Sequence, residues 1–226
     1  MRLNGVDTSR GPVAIRGVFI AMTIVAIGFA FVVGKLAAAS VRYFPLSYSA
    51  PSLVCDKSTV PREIVSDIEA DWYSGQWRAA EEPSLYLASQ APSAARAITY
   101  RFTWLRSFHH PVIVRVDAVE GGRMRLTAKQ LSGAGGYDPG GIEKQVVRTL
   151  TPDEQAKLQA ALTATQVLSL PAIDCHWGAD GSQWIVEANA HGRYSFVNRW
   201  TPDDGPVRTF GLLLLSFTGW RFDRLY

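Results

Sequence analysis

Residues 98–105, Ile-Thr-Tyr-Arg-Phe-Thr-Trp-Leu, decide how this chain folds. Ile98, Tyr100, Phe102 and Trp104 alternate with Thr99, Arg101, Thr103 and Leu105. Successive side chains of a strand point to opposite faces, so this two-residue period predicts a β-strand with one strongly apolar face. Pro111 breaks the chain, and Val112–Val116 reads as a second strand. Glu120-Gly121-Gly122 is a turn. Met124, Leu126 and Ala128 then alternate with Arg123, Arg125, Thr127 and Lys129, predicting a third strand with one wet face. Val146–Leu150 is a candidate fourth.

On the N-terminal side, Pro61 suits a first helical turn and predicts a helix to about Ala80. Its expected core stripe is Ile64, Ile68 and Trp72, with Val65 beside it. On the C-terminal side, Thr151-Pro152-Asp153-Glu154 combines a capping Thr, a Pro at the first helical position and a Glu that closes a capping box. Gln183–Ala188 and Arg193–Trp200 bracket Asn189-Ala190-His191-Gly192, which predicts a hairpin. Thr201-Pro202-Asp203-Asp204 starts a last helix through PVRTFGLLLLSF, a run too short to cross a bilayer. The expected fold class is α+β, an antiparallel β-sheet with helices packed on one face, preceded by one N-terminal transmembrane helix.

That transmembrane helix rests on Gly17–Gly34, eighteen residues without a charge, between Arg16 and Lys35. With Leu36–Ala39 the stretch reaches roughly 30 Å as a helix, the thickness of a hydrocarbon core. Ala37-Ala38-Ala39 offers a signal-peptidase-like site, but the run exceeds a signal h-region and Lys35 intervenes. The reading is therefore an uncleaved signal anchor. Arg2, Arg10 and Arg16 outnumber Lys35 and Arg42, which places the N-terminus inside and the large domain outside, the periplasm if the cell is Gram-negative. The expected organisation is a cytoplasmic tail at 1–16, an anchor at 17–39, a linker with Pro45 and Pro51 at 40–58, and an extracytoplasmic domain at 59–226.

Composition sets further bounds. The 226 residues are 47% hydrophobic and 19% charged, with seven Trp and ten Phe, so the chain is globular and not disordered. Residues 1–40 hold four basic residues and one acidic one, which accounts for the whole net charge of +3. The remainder is balanced and lacks the basic excess of a nucleic-acid-binding domain, so no nucleic acid is expected as a partner. The expected partners are membrane lipid, through residues 17–39, and a protein of the cell envelope.

The phrases Glu82-Pro83-Ser84-Leu85-Tyr86, Tyr100-Arg101-Phe102-Thr103-Trp104-Leu105-Arg106, Gly135-Gly136-Tyr137-Asp138-Pro139-Gly140, Asp180-Gly181-Ser182-Gln183-Trp184 and Arg199-Trp200-Thr201-Pro202 resemble ones found in uncharacterised exported or membrane-anchored bacterial proteins. They span about residues 80–205. The resemblance implies an extracytoplasmic domain and carries no catalytic residue.

Candidate chemistry is sparse. Cys55 and Cys175 are the only cysteines, and an oxidising compartment with an even count predicts a disulfide between them. His109, His110, His176 and His191 show no zinc-site spacing, and no metal or other cofactor is expected. No G-x-S-x-G or S-x-x-K is present, and Asp180 and Glu187 stand an odd spacing apart, on opposite faces of a strand. Gly133–Gly141 holds five glycines in nine positions, but no Gly-Lys-Ser/Thr follows, so it reads as a mobile inter-strand loop rather than a phosphate cradle. Tyr137 and Asp138 on that loop, with Arg101, Arg199 and Trp200 on the strands, are the candidate binding residues, since Arg and Trp are enriched at interface hot spots. Ordinary sheet-face ion pairs and cation–π stacks use the same residues. A binding module is the first reading. An envelope hydrolase and an assembly factor, the latter through the small-residue stripe Ala26, Ala30 and Gly34, are the alternatives.

Overall fold

A computed structural model of the chain describes residues 42–55 and 60–226. The tail expected at 1–16 and the anchor expected at 17–39 lie outside the described residues. Among the described residues no helix is long and apolar enough to cross a membrane.

The fold is α+β. Six antiparallel strands form one sheet: β1 (Ile98–Arg106), β2 (Val112–Val119), β3 (Arg123–Leu131), β4 (Ile142–Thr149), β5 (Ser182–Ala190) and β6 (Arg193–Trp200). Their order is β4-β3-β2-β1-β5-β6. β1 to β4 form a meander, and the chain then crosses to the far side of β1 to add the β5–β6 hairpin. The hairpin turns at His191 and Gly192, both at positive φ (55° and 77°), where glycine meets no Cβ penalty.

Helices cover both faces of this sheet, not one. The face carrying Phe102, Trp104, Val114, Leu126 and Val186 packs against α3 (Pro152–Thr165) and α4 (Gly205–Phe217) through Leu158, Val207, Phe210 and Leu214. The opposite face carries Leu105, Ile113, Leu131, Ile185 and Phe196, and α1 (Asp67–Ala79) covers it with Tyr73 and Trp77. The short helix α2 (Leu85–Ser89) continues that layer. β1 is thus buried on both sides, and the expected wet face of β3 is wet only at Arg123 and Arg125. Thr127 and Lys129 are buried, and Lys129 Nζ donates to the Ala80 carbonyl oxygen at 2.6 Å.

α1 begins at Asp67, six residues later than Pro61 suggested. Ser66 and Glu69 form a reciprocal capping box, with Ser66 Oγ accepting from Glu69 N and Glu69 Oε2 accepting from Ser66 N. Arg62 instead bridges Leu53 in antiparallel fashion. The buried face is not the expected stripe: Ile68 is 82% exposed, and Tyr73, Gln76 and Trp77 face the sheet. α1 ends in a Schellman motif: Glu82 N donates to Trp77 O and Glu81 N to Arg78 O, with Glu81 at φ 53°. This turn delivers Glu82 to the sheet.

Residues 42–55 belong to the folded unit and are not a linker. Tyr43 stacks on Trp77 at 5.6 Å, Phe44 meets Phe196 edge-on at 5.4 Å, and Tyr48 packs on Tyr194 and Phe196. Cys55 is bonded to Cys175 with their Cα atoms 5.3 Å apart, as expected from the sequence. Closing that 120-residue separation stabilises the fold by roughly 5 kcal/mol in the chain-entropy account.

The capping box at Thr151 and Glu154 forms as read. Arg148 of β4 grips the Glu154 carboxylate with both terminal nitrogens, at 2.6 and 2.7 Å. That grip and the Thr151 bonds lower the Glu154 pKa to about 2. α4 starts at Gly205, past the four residues expected to open it, and Asp204 caps it without a side-chain bond.

Two glycines give a paired test of this packing. A Cβ on Gly211 of α4 would stand 2.7 Å from the Phe102 ring and 2.8 Å from Trp184, both fixed in the core. A Cβ on Gly75 of α1 would meet nothing within 4 Å. Thermal unfolding is expected to show Gly211→Ala destabilised by about 1–3 kcal/mol, from overpacking. Gly75→Ala should be stabilised by about 0.5–1 kcal/mol, from helix propensity.

Candidate functional site

The sequence-derived candidates fall into two places. Arg101 lies in the interior, and Tyr137, Asp138, Arg199 and Trp200 lie around one end of the sheet.

Arg101 is fully buried between its cross-strand neighbours Glu187 and Arg115. Its Nε donates to Glu187 Oε2 at 2.8 Å, a second guanidinium nitrogen lies 2.7 Å from the same oxygen, and the third donates to Pro83 O. Trp77 lies under the guanidinium at 4.4 Å, and Tyr194 donates its hydroxyl to Glu187 Oε1. Glu82 joins Arg115 at 2.7 Å to Lys129 at 2.9 Å, and Arg115 reaches Asp117 at 2.6 Å. Arg101, Arg115 and Lys129 thus face Glu82, Asp117 and Glu187, and Arg125, half exposed, also reaches Asp117 at 3.6 Å. Burial pushes the Glu187 carboxyl above its ordinary value, against the pull of Arg101 and Tyr194. The cluster docks the Glu82 turn onto the sheet and is an organiser of the fold.

At the end of the sheet three loops meet. Ser107 joins two of them, because its Oγ accepts from Gly181 N and donates to Gly181 O, while its carbonyl accepts from Gly136 N. The Gly133–Gly141 loop is fastened, where mobility was expected. Gly135 N donates to His109 O, and Gly135 O accepts from Trp72 Nε1 at 2.6 Å and from Gln76 Nε2. A Cβ on Gly135 would stand 2.6 Å from Arg106 N, so glycine serves close backbone approach here. Asp138 is a turn former, its Oδ1 accepting from Gly140 N.

Three large aromatics project from this end. Trp177 is 72% exposed, Tyr137 65% and Phe108 58%, and the last two rings lie 6.1 Å apart. Tyr137 was a sequence candidate, whereas Trp177 and Phe108 were not. Trp177 follows Cys175-His176, so only the position of the disulfide could have marked it. Arg199 and Trp200, adjacent on β6, face opposite sides of the sheet. Trp200 covers Gly178 and Gly181, and Trp177 lines the same narrow cleft. Arg199 pairs with Asp174 at 3.3 Å beside a cleft of about 440 Å³, which His176 and Asp203 also line. Burial lowers the Arg199 pKa against the attraction of Asp174.

The ring nitrogens of His110 and His191 hydrogen-bond the carbonyls of Gly133 and Ala95, and His109 Nδ1 pairs with the Tyr226 hydroxyl at 2.6 Å. Burial and the nearby charges of Arg106 and Arg224 lower the His109 pKa. Among the described residues no group of three His, Cys, Asp or Glu side chains is placed to hold a metal ion. No protein-family model matches this chain, and no curated protein matches it either.

The clamp on the glycine loop yields a prediction. Trp72→Phe keeps the apolar bulk and removes the bond to Gly135 O. Hydrogen exchange is expected to speed up at the amides of Gly135 and Gly136, with a stability loss of about 1 kcal/mol.

Proposed function

We propose that the chain is a single-pass membrane protein that displays a binding domain outside the cytoplasm. Residues 1–16 stay on the inner side, residues 17–39 anchor the chain in lipid, and the domain faces the periplasm, where it engages a protein of the cell envelope. An inhibitory or immunity-type role fits such a domain. The observation that carries the reading is the bond between Cys55 and Cys175, which joins two otherwise distant segments and needs an oxidising compartment to persist. The eighteen-residue uncharged run upstream supplies the export signal.

Binding is supported by the aromatic end of the sheet. Phe108 and Tyr137 stand on loops held by backbone hydrogen bonds, Trp177 stands two residues after the disulfide-bonded Cys175, and exposed aromatics held in place contribute contact area at small entropic loss. The charge balance of the chain beyond residue 40 argues against nucleic acid as the partner.

Alkaline phosphatase fused after Tyr226 in a Gram-negative host is expected to be active, and a fluorescent protein fused there to be dark. Mass spectrometry of the membrane fraction should recover peptides from residues 1–35, and alkylation without reductant should leave both cysteines unmodified. Reporter activity confined to the cytoplasm, or freely reacting thiols, contradicts the topology. A mature start near Ser40 contradicts the anchor.

A further inference from the structure

Among the described residues the exposed aromatic side chains are Phe108, Tyr137 and Trp177, and all three stand at one end of the sheet. They project from the segments 107–111, 133–141 and 174–181, which meet where Ser107 bonds Gly181 and Gly136. The rings of Phe108 and Tyr137 lie 6.1 Å apart. Large apolar side chains gathered on a surface mark a place where a partner covers them.

The charge of this end is one-sided. The three segments hold Asp138, Asp174 and Asp180 and no Lys or Arg. Asp71, exposed on α1, adds a carboxylate next to Trp72, whose indole bonds Gly135 O. Asp71, Asp138 and Asp180 are exposed and have no ion-pair partner among the described residues. The cations at the rim are engaged elsewhere: Arg62 reaches Glu69 at 3.4 Å and Arg199 reaches Asp174 at 3.3 Å. Arg224, in the segment after α4, is close enough to act on His109 and borders the surface there, with Asp223 beside it in sequence. At the other end of the sheet the β2–β3 and β5–β6 turns carry exposed Arg123 and Arg193 against Glu120. The chain beyond residue 40 is balanced overall, so the acidity is a local property of the aromatic end.

These features select one kind of occupant. Aromatic faces attract cations, and an arginine guanidinium both stacks on a ring and pairs with a carboxylate. An anionic lipid surface would meet the three carboxylates as like charges. A second copy of the chain, docked patch to patch, would do the same.

We propose that this end of the sheet docks a basic segment of a partner protein, whose Arg or Lys side chains stack on Phe108, Tyr137 and Trp177 and pair with Asp71, Asp138 and Asp180. The proposal rests on reading the domain as a binding module and names the chemistry of its partner. Reporter activity outside the cytoplasm without the binding described next keeps the topology and removes this partner; the reverse pair of results does the opposite.

The test uses the oxidised full-length protein in phosphatidylcholine nanodiscs. Two capped decapeptides are titrated, one alternating Arg with Gly and one alternating Glu with Gly. The readouts are affinity and the indole N–H resonance of Trp177, assigned by its loss in Trp177→Phe. The Arg peptide is expected to bind and shift that resonance, the Glu peptide to do neither, and raising salt from about 0.05 to 0.5 M to weaken the binding. Asp138→Asn with Asp180→Asn should lower affinity about threefold or more, and Trp177→Ala about threefold, whereas Glu120→Gln at the other end should leave it unchanged. All four positions are exposed, so these variants keep the fold. Equal binding of the two peptides, an unmoved Trp177 resonance, or an equal loss in Glu120→Gln overturns the proposal. So does a Trp177 shift produced by phosphatidylglycerol vesicles, or by self-association of the protein, in place of the Arg peptide.

Discussion

An arginine at the centre of a two-sided core constrains the rest of this structure. β1 has the rest of the meander on one side and the hairpin on the other, and helices cover both of its faces. Arg101 on this strand has no route to solvent, and a buried unpaired guanidinium is prohibitive. Glu187, directly opposite on β5, answers it. Pro83 O, at the start of the layer that covers the sheet, takes the remaining charge-assisted bond. The pairing therefore fixes the register of β1 against β5 and seats the Glu81–Glu82 turn. α1, whose end that turn forms, then places Trp72 and Gln76 on the glycine-rich loop and holds the aromatic end of the sheet.

Much of this was legible locally. The alternation in 98–105 gives β1, the capping box at Thr151 and Glu154 gives the start of α3, and His191-Gly192 gives the hairpin. Each is a signal confined to a few neighbouring residues. The second covered face was not legible, because its burial is set by contacts far apart in sequence. Lys129 looks like a solvent-facing residue until Ala80 and Glu82, some 49 positions away, meet its ammonium group. Pro61 misplaced the start of α1 because a proline suits a strand edge or a bridge as well as a first helical turn.

The site shows the same division. The glycines of 133–141 were visible, but their purpose depends on the backbone of residues 105–107, which only the fold brings near. Tyr137 was found because it stands in a conspicuous loop. The donors around Tyr226 O, from Trp104, Trp184 and Ser182, were hidden because a buried Trp and a buried Ser announce packing, and they meet only when the β1–β5 register sets Trp104 beside Trp184 and the segment after α4 brings Tyr226 to them. Arg106, on the opposite face of β1 from Arg101, has Ser182 across the strand where Arg101 has Glu187.

A double-mutant cycle on Arg101 and Glu187, read by urea unfolding of the oxidised full-length protein, tests the central claim most directly. Arg101→Met and Glu187→Gln should each destabilise by about 3–5 kcal/mol, because each strands the other charge in the core. The double variant should lose clearly less than their sum, with a coupling above about 1 kcal/mol. Single losses below about 1 kcal/mol that add without coupling would contradict the account, and would place the organising constraint elsewhere in the sheet.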